Sequence, residues 1–344
     1  MGARITTDWI YRGLQAVVLE NEFLRIDVFP EAGAKIYNYI YKPADCNFLW
    51  HNPRIDLAAV PLGLSYDDHF SGGWDELFPN DAPCVFQGNS LPDHGELWCR
   101  RWDYEVMKNG RDEVVLYLRH RGAVTSTLVE KWLTLRSGEL KLRFKHRITN
   151  LGKTPVDFLW KLHPALRSTV RHRVDVPGKR GEYVGRDWSR LENPDLIFEW
   201  PIARNSRGDI ADLRFVLPAA SGLRDFVYVS ELTDGWCALT DTERLLGFAL
   251  IFPKEIFPYV WLFMPAGGWR DIHTVILEPC TACPKDLNLA LERRSLSHLE
   301  PGEVLECEVT SLVYTGVDSV GAIGSDGIVT PAGDMPGSAR KHLA

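Results

Sequence analysis

What the chain lacks narrows its work before anything else does. It has no excess of positive charge: 46 Asp and Glu face 39 Lys and Arg, for a formal net charge of -7. Nucleic-acid binders carry a basic footprint that neutralises phosphates, so that class is excluded. Long apolar runs are missing too, since stretches such as Leu245 to Pro253 are far too short to span a bilayer. The opening Met1-Gly2-Ala3-Arg4-Ile5-Thr6 has no apolar core of the secretory kind, and its match to the loose myristoylation pattern lacks a second membrane signal. Cysteines are few and odd in number, seven, and their spread forms no secreted disulfide framework. Cys280-Thr-Ala-Cys283 is a lone Cys-x-x-Cys pair, without the second pair of a zinc ribbon. Reduced thiols and a cytoplasmic location are therefore expected. A Gly-rich phosphate loop, a nucleophile elbow and a dinucleotide fingerprint are all absent. So is any four-turn stretch with a clean 3.6-residue period, so long helices are not expected.

What is present reads as strands. Hydrophobic residues make up 45% and charged residues 25%, as in ordinary soluble globular chains. Leu140, Leu142, Phe144, His146 and Ile148 alternate with Lys141, Arg143, Lys145 and Arg147, and Leu305 to Val313 alternates likewise. Further strand candidates are Phe23–Val28, Val114–Leu118, Leu128–Leu135, Leu213–Leu217, Phe226–Val229, Leu245–Phe252, Tyr259–Phe263 and His273–Leu277. Many closely spaced strands without intervening helices make an all-β fold, an antiparallel sandwich or barrel. Residues 171–212 are the least patterned and are expected to wander over the surface. Residues 1–316 read as one domain. From 317 to 344 Gly, Ser, Ala and Pro dominate, so a mobile or loosely docked tail is expected. The 12 Trp suit stacking on sugar rings as well as they suit a core.

Three segments depart from plain strand-and-turn grammar: His69 to Asn80 followed by Pro92 to Trp98, then Trp160-Lys-Leu-His163-Pro, then Ile276-Leu-Glu278-Pro. Each sets an ionisable group at a strand end or turn, where loops carry function. A Glu closing the apolar run Val275-Ile-Leu277 is expected to be partly buried, and burial raises a carboxyl toward the range useful for proton transfer. Plain alternatives exist for each group. His94 beside Gly95 also fits a turn, His163 a satisfied core histidine, and Glu278 a salt bridge to Arg270. His94-Gly-Glu96 with a further His also matches the ligand set of a facial-triad metal site.

Taken in order along residues 15 to 316, these segments resemble the aldose 1-epimerase, or galactose mutarotase-like, superfamily. Carrying the resemblance are Pro30-Glu-Ala-Gly-Ala-Lys-Ile36, Gly72-Gly73 with Leu77-Phe-Pro-Asn80, and His94-Gly95 with Trp102. Leu135 to Asn150, His163-Pro164, Glu278 and Leu299-Glu-Pro-Gly-Glu303 complete it. The resemblance implies a large antiparallel β-sandwich with a sugar site on one concave face, working as a mutarotase without a cofactor or metal. Carried over by position, Glu278 is the general base at the anomeric hydroxyl, His163 the general acid at the ring oxygen, and His94 a hydrogen-bonding partner. The chain has Ser71 and Trp98 where the sugar-phosphate branch has arginines. His69, Trp74, Asp75, Trp98 and Trp160 are therefore expected to bind a neutral sugar, although Arg100, Arg101 or Lys161 could still serve an acidic one. The expected partner is a small carbohydrate, with neither nucleic acid nor membrane. Two other readings use the same residues: a non-catalytic carbohydrate-binding protein, and a metal-assisted sugar isomerase or lyase on the same sandwich.

Overall fold

Period-two alternation builds the fold. In the computed structural model, which describes residues 2–333, Leu142, Phe144, His146 and Ile148 of the strand Lys141–Asn150 are buried, while the residues between them reach toward solvent. Each strand of this kind has one apolar face to cover, and two sheets packed face to face cover both. Among the described residues there is a 12-stranded antiparallel sheet and an 8-stranded one. Only two α-helices occur there, Tyr66–His69 and Leu287–Glu292. Neither is long and apolar enough to cross a membrane. The fold is an all-β sandwich. Its core joins Ile26, Ile36, Leu162 and Leu277 of the larger sheet to Leu116, Leu133, Phe144 and Val309 of the smaller.

The middle of the larger sheet runs Lys35–Tyr41, Trp74–Leu77, Lys161–Leu166, Val275–Cys280, Tyr259–Pro265 and Arg224–Ser230, each hydrogen-bonded to the next. Register sets His163 opposite Asp75 and Trp261 opposite Glu278. The pairing of Lys161 with Cys280 and of Ala165 with Ile276 brings His163 level with Glu278. Asp75, His163, Glu278 and Trp261 thus form a row across four strands on the face turned away from the sandwich core.

The expected strands form, with one exception. Leu213–Leu217 makes only an isolated bridge, Phe215 to Arg173, because Leu213 and Val216 tuck into the core while Phe215 points out. The least patterned region also contributes more than a surface excursion. Its Arg180–Tyr183 and Ile197–Glu199 extend the larger sheet at one edge. From Asp318 to Gly333 the chain is docked on the sandwich. Val320–Ile323 and Val329–Pro331 pair as a hairpin whose Val320 and Ile323 pack on Trp236, Leu312 and Tyr314. That cover explains why Leu312, on the polar side of an alternating strand, is apolar. Residues 334–344 of the expected tail lie outside the described residues.

Candidate active site

The row of strands forms the floor of a cavity of about 270 Å³. Glu278, His163 and His94 all line it, with Lys161 and Asp81. Strand parity explains the floor. In Lys161–Leu166, Leu162 and Leu166 enter the sandwich core, so Lys161 and His163 must face the other way. In Val275–Cys280, Val275 and Leu277 enter the core and Glu278 faces the cavity.

The walls come from loops held by backbone bonds. His94 N donates to the Asp81 carbonyl over 2.6 Å and Glu96 N to the Phe78 carbonyl over 2.8 Å. At Gly95 a Cβ would lie 2.0 Å from the Phe78 carbonyl oxygen, so only glycine fits after His94. Asn80 Nδ2 donates to the Ala82 and Pro92 carbonyls and closes the same loop. The helix Tyr66–His69, capped by Ser65, lays the Tyr66 ring flat on His94 with centroids 4.2 Å apart.

Electrostatics divide the two cavity carboxylates. Lys161 Nζ lies 2.5 Å from Asp81 Oδ1 and 2.6 Å from Glu278 Oε2. One ammonium serves two acids, and its own pKa is raised by both against the effect of burial. Burial alone would raise Asp81, but Lys161 outweighs it and holds that carboxyl below its usual value. Burial wins at Glu278 despite the same ammonium, pushing it up to about 7. His163 is driven the other way: burial, then Lys161, His94 and Lys35, lower its pKa well below that of a free imidazole. Its Nε2 is 3.9 Å from Glu278 Oε2, and its Nδ1 is 3.1 Å from the Tyr66 hydroxyl. His94 has a carboxylate at each ring nitrogen, Asp93 at 2.7 Å and Asp81 at 3.6 Å.

The other expected sugar contacts lie elsewhere. Trp74 and Trp160 belong to the sandwich core: Trp74 packs on Phe144 and Phe248, and Trp160 donates to Glu76. The alternation that turns Lys161 and Asp75 toward the cavity turns these two tryptophans away. Asp75 is on the cavity face but lies behind Tyr66, whose hydroxyl it accepts at 2.8 Å. Trp98 packs edge-on beneath the Tyr66 ring, and His69 Nδ1 is bonded to the Ser65 carbonyl. Neither lines the cavity. Arg270 pairs with Asp68 rather than with Glu278. Glu96 accepts from the backbone of Ala123, Val124 and Thr125, so it is spent on a loop and not offered beside His94 to a metal. Among the described residues no group of three or more His, Cys, Asp and Glu is arranged to hold a metal ion. The sequence did not single out Tyr66, Asp67, Asp81, Arg224, Trp269 or Lys285, all of which line the cavity. Loops and distant strands bring them there, with no periodic signal. Of the positive charges expected to serve an acidic sugar, Lys161 lines the cavity, as its parity with His163 dictates, while Arg100 and Arg101 do not.

No protein-family model matches the chain. Solved structures do. A galactose mutarotase-like protein of Clostridium acetobutylicum superposes with a TM-score of 0.64 at 11% identity, over 92% of this chain and 99% of that one. A galactose mutarotase related enzyme of Lactobacillus acidophilus gives 0.58 at 14% identity, over 87% and 97%. A Klebsiella pneumoniae protein, provisionally named an aldose 1-epimerase, gives 0.67 at 13% identity, over 90% and 83%. The chain has the galactose mutarotase-like fold. In that fold the cavity described here lies on the outer face of the larger sheet, beside its central strands.

Proposed function

We propose that the protein is a carbohydrate mutarotase, interconverting the anomers of a sugar with a free anomeric hydroxyl by acid–base ring opening. The observation that carries this reading is the convergence of Glu278, His163 and His94 on one open cavity. Ring opening needs the anomeric O–H to lose a proton while the ring oxygen gains one. Glu278 takes the first proton and His163, as imidazolium, supplies the second. The bond between the anomeric carbon and the ring oxygen breaks, and the anomeric C–O becomes a carbonyl. Rotation about C1–C2 presents the opposite face, and the same two groups return the protons in reverse.

The pKa shifts fit the middle of this sequence. Glu278 near 7 and a strongly depressed His163 favour a protonated carboxyl beside a neutral imidazole. That is the state left when the open-chain aldehyde is bound, so the free site is matched to the intermediate rather than to the closed ring. His94, facing Asp81 and Asp93, is placed to hydrogen-bond the reacting oxygens. Each positioned proton-transfer group typically contributes about 10²–10⁴-fold.

For the sugar itself, one observation favours an anionic substituent over a neutral ring. Arg224 and Lys285 line the cavity with Lys161. Guanidinium and ammonium groups beside a site suit a carboxylate or phosphate. Two-dimensional exchange NMR on neutral and acidic monosaccharides tests both parts. Wild type is expected to accelerate anomer exchange and Glu278→Gln to lose about 10²–10⁴-fold of it. Equal exchange in the two proteins removes Glu278 as the base, and sugar binding with no exchange at all favours a non-catalytic binding protein.

A further inference from the structure

Behind His163 lies a buried chain that the ring-opening scheme does not use. Lys35 Nζ pairs with Asp75 Oδ2 at 2.9 Å and is held by Ser71 Oγ at 3.3 Å and the Gly72 carbonyl at 3.0 Å. Asp75 Oδ2 also faces the Tyr66 hydroxyl at 2.8 Å, and that hydroxyl faces His163 Nδ1 at 3.1 Å. All four side chains are buried.

We propose that Tyr66 is a positioning residue that dictates which nitrogen of His163 carries the proton, with Asp75 and Lys35 fixing the direction of its hydroxyl. Donors and acceptors decide the direction of each bond. A carboxylate paired with an ammonium only accepts, so the Tyr66 O–H donates to Asp75. The phenol oxygen is left with lone pairs, and His163 must donate to it through Nδ1–H. Nε2 is then the bare nitrogen, and it is the one directed toward Glu278, 3.9 Å away. Imidazole in this tautomer presents a lone pair where a ring oxygen's proton is to be handled. The alternative tautomer would leave Nδ1 and the phenol oxygen as two acceptors facing each other in a dry site.

The tyrosine is itself tightly placed. Its backbone N–H donates to Asp93 Oδ2 at 2.8 Å, and Asp93 Oδ1 accepts from His94 Nδ1 at 2.7 Å. Its ring stacks on His94. One side chain therefore orients both imidazoles, one through its hydroxyl and one through its face. The two functions are separable, because phenylalanine keeps the stack and removes the acceptor. The charged and titratable groups that face His163 are Lys161 on its own strand, Glu278 on one neighbouring strand and Asp75 with Lys35 on the other side. His94 and Tyr66 close it from the loops.

This inference rests on the reading of His163 as a proton-transfer group, but its test needs no sugar. Long-range ¹H–¹⁵N correlation spectra of the full-length protein report which imidazole nitrogen bears hydrogen, and the signals lost in His163→Gln assign the ring. Wild type is expected to show a protonated Nδ1 and an unprotonated Nε2. Tyr66→Phe is expected to move both nitrogens toward tautomer-averaged positions. Asp75→Asn, whose amide can donate to the phenol and free its hydroxyl to donate to His163, is expected to raise the Nε2–H population. A protonated Nε2 in wild type overturns the proposal, even if neither variant folds. So do nitrogen shifts that stay unchanged in a folded Tyr66→Phe. Where anomer exchange is measurable, Tyr66→Phe is expected to lower kcat by up to about 10²-fold with little change in KM. Absence of exchange on every sugar would count against the mutarotase reading and leave the tautomer result standing.

Discussion

At the scale of single residues, the site depends on how one ammonium is divided. Lys161 satisfies Asp81 and leaves Glu278 with most of its burial penalty, so Glu278 titrates near 7. A pH dependence follows. Above about 7 Glu278 is ionised while His163 is already neutral, and the proton required by the ring oxygen is missing. Anomer-exchange rates measured across pH are expected to fall on the alkaline side of about 7, and rates that stay level through the alkaline range would contradict this. Lys161→Met removes the charge that holds Glu278 down. The same profile should then shift its alkaline limb upward by roughly one to three pH units. An unchanged limb would mean that Lys161 does not act on Glu278. Glu278 and His163 could be picked from the sequence because each ends or interrupts an apolar strand beside Pro. Tyr66 and Asp81 could not, since a loop residue gives no pattern until the loop is folded.

At the scale of strands, one residue of phase separates site from core. Trp74 and Trp160 are expected at the sugar because indole faces suit sugar rings, yet they precede Asp75 and Lys161 directly, and neighbours in a strand face opposite ways. The same period applied to Trp160-Lys-Leu-His163 sends the indole inward and turns Lys161, with His163, to the cavity. Glu76 follows Trp74 into the core by the same rule across one residue. It meets Lys131 at 2.9 Å, His146 at 3.3 Å and Trp160 Nε1 at 3.3 Å. Burial alone would raise its pKa, but Lys131 and His146 pull it well below the usual carboxyl value. Removing one partner of a buried pair strands the other charge, so Lys131→Met should cost about 3–5 kcal/mol in urea unfolding. The double variant with Glu76→Gln should cost less than that single change. Because the folded-state pKa of Glu76 is depressed, its contribution is present above the unfolded-state value of about 4.3 and is lost as pH falls below it. Acid titration of stability should be shallower in Glu76→Gln than in wild type.

At the scale of the whole molecule, the sandwich was legible because alternation, turn residues and scarcity of helical periods all agreed. The final hairpin was not. Its apolar residues are too few to suggest a packed element, and it packs on Trp236, far away in sequence, as well as on Leu312 and Tyr314 of the strand just before it. Val320 and Ile323 are buried there, and Val320 N donates to Asp175 Oδ2. Burying one such side chain contributes about 1.5–3 kcal/mol. A chain ending at Gly316 is therefore expected to lose at least about 3 kcal/mol in denaturant unfolding. A loss near zero would show that the hairpin does not stabilise the sandwich.

The central claim is that the cyclic hemiacetal of a sugar sits on the cavity floor at His163 and Glu278. A crystal of Glu278→Gln soaked with a monosaccharide substrate tests it most directly. The account predicts ring density in the cavity, with the anomeric oxygen about 2.6–3.2 Å from the residue 278 side chain and the ring oxygen facing His163 Nε2. Sugar density confined to the separate hollow lined by Trp200, Trp236, Arg173 and Arg214 would contradict it. So would a ring turned with its anomeric carbon away from residues 163 and 278.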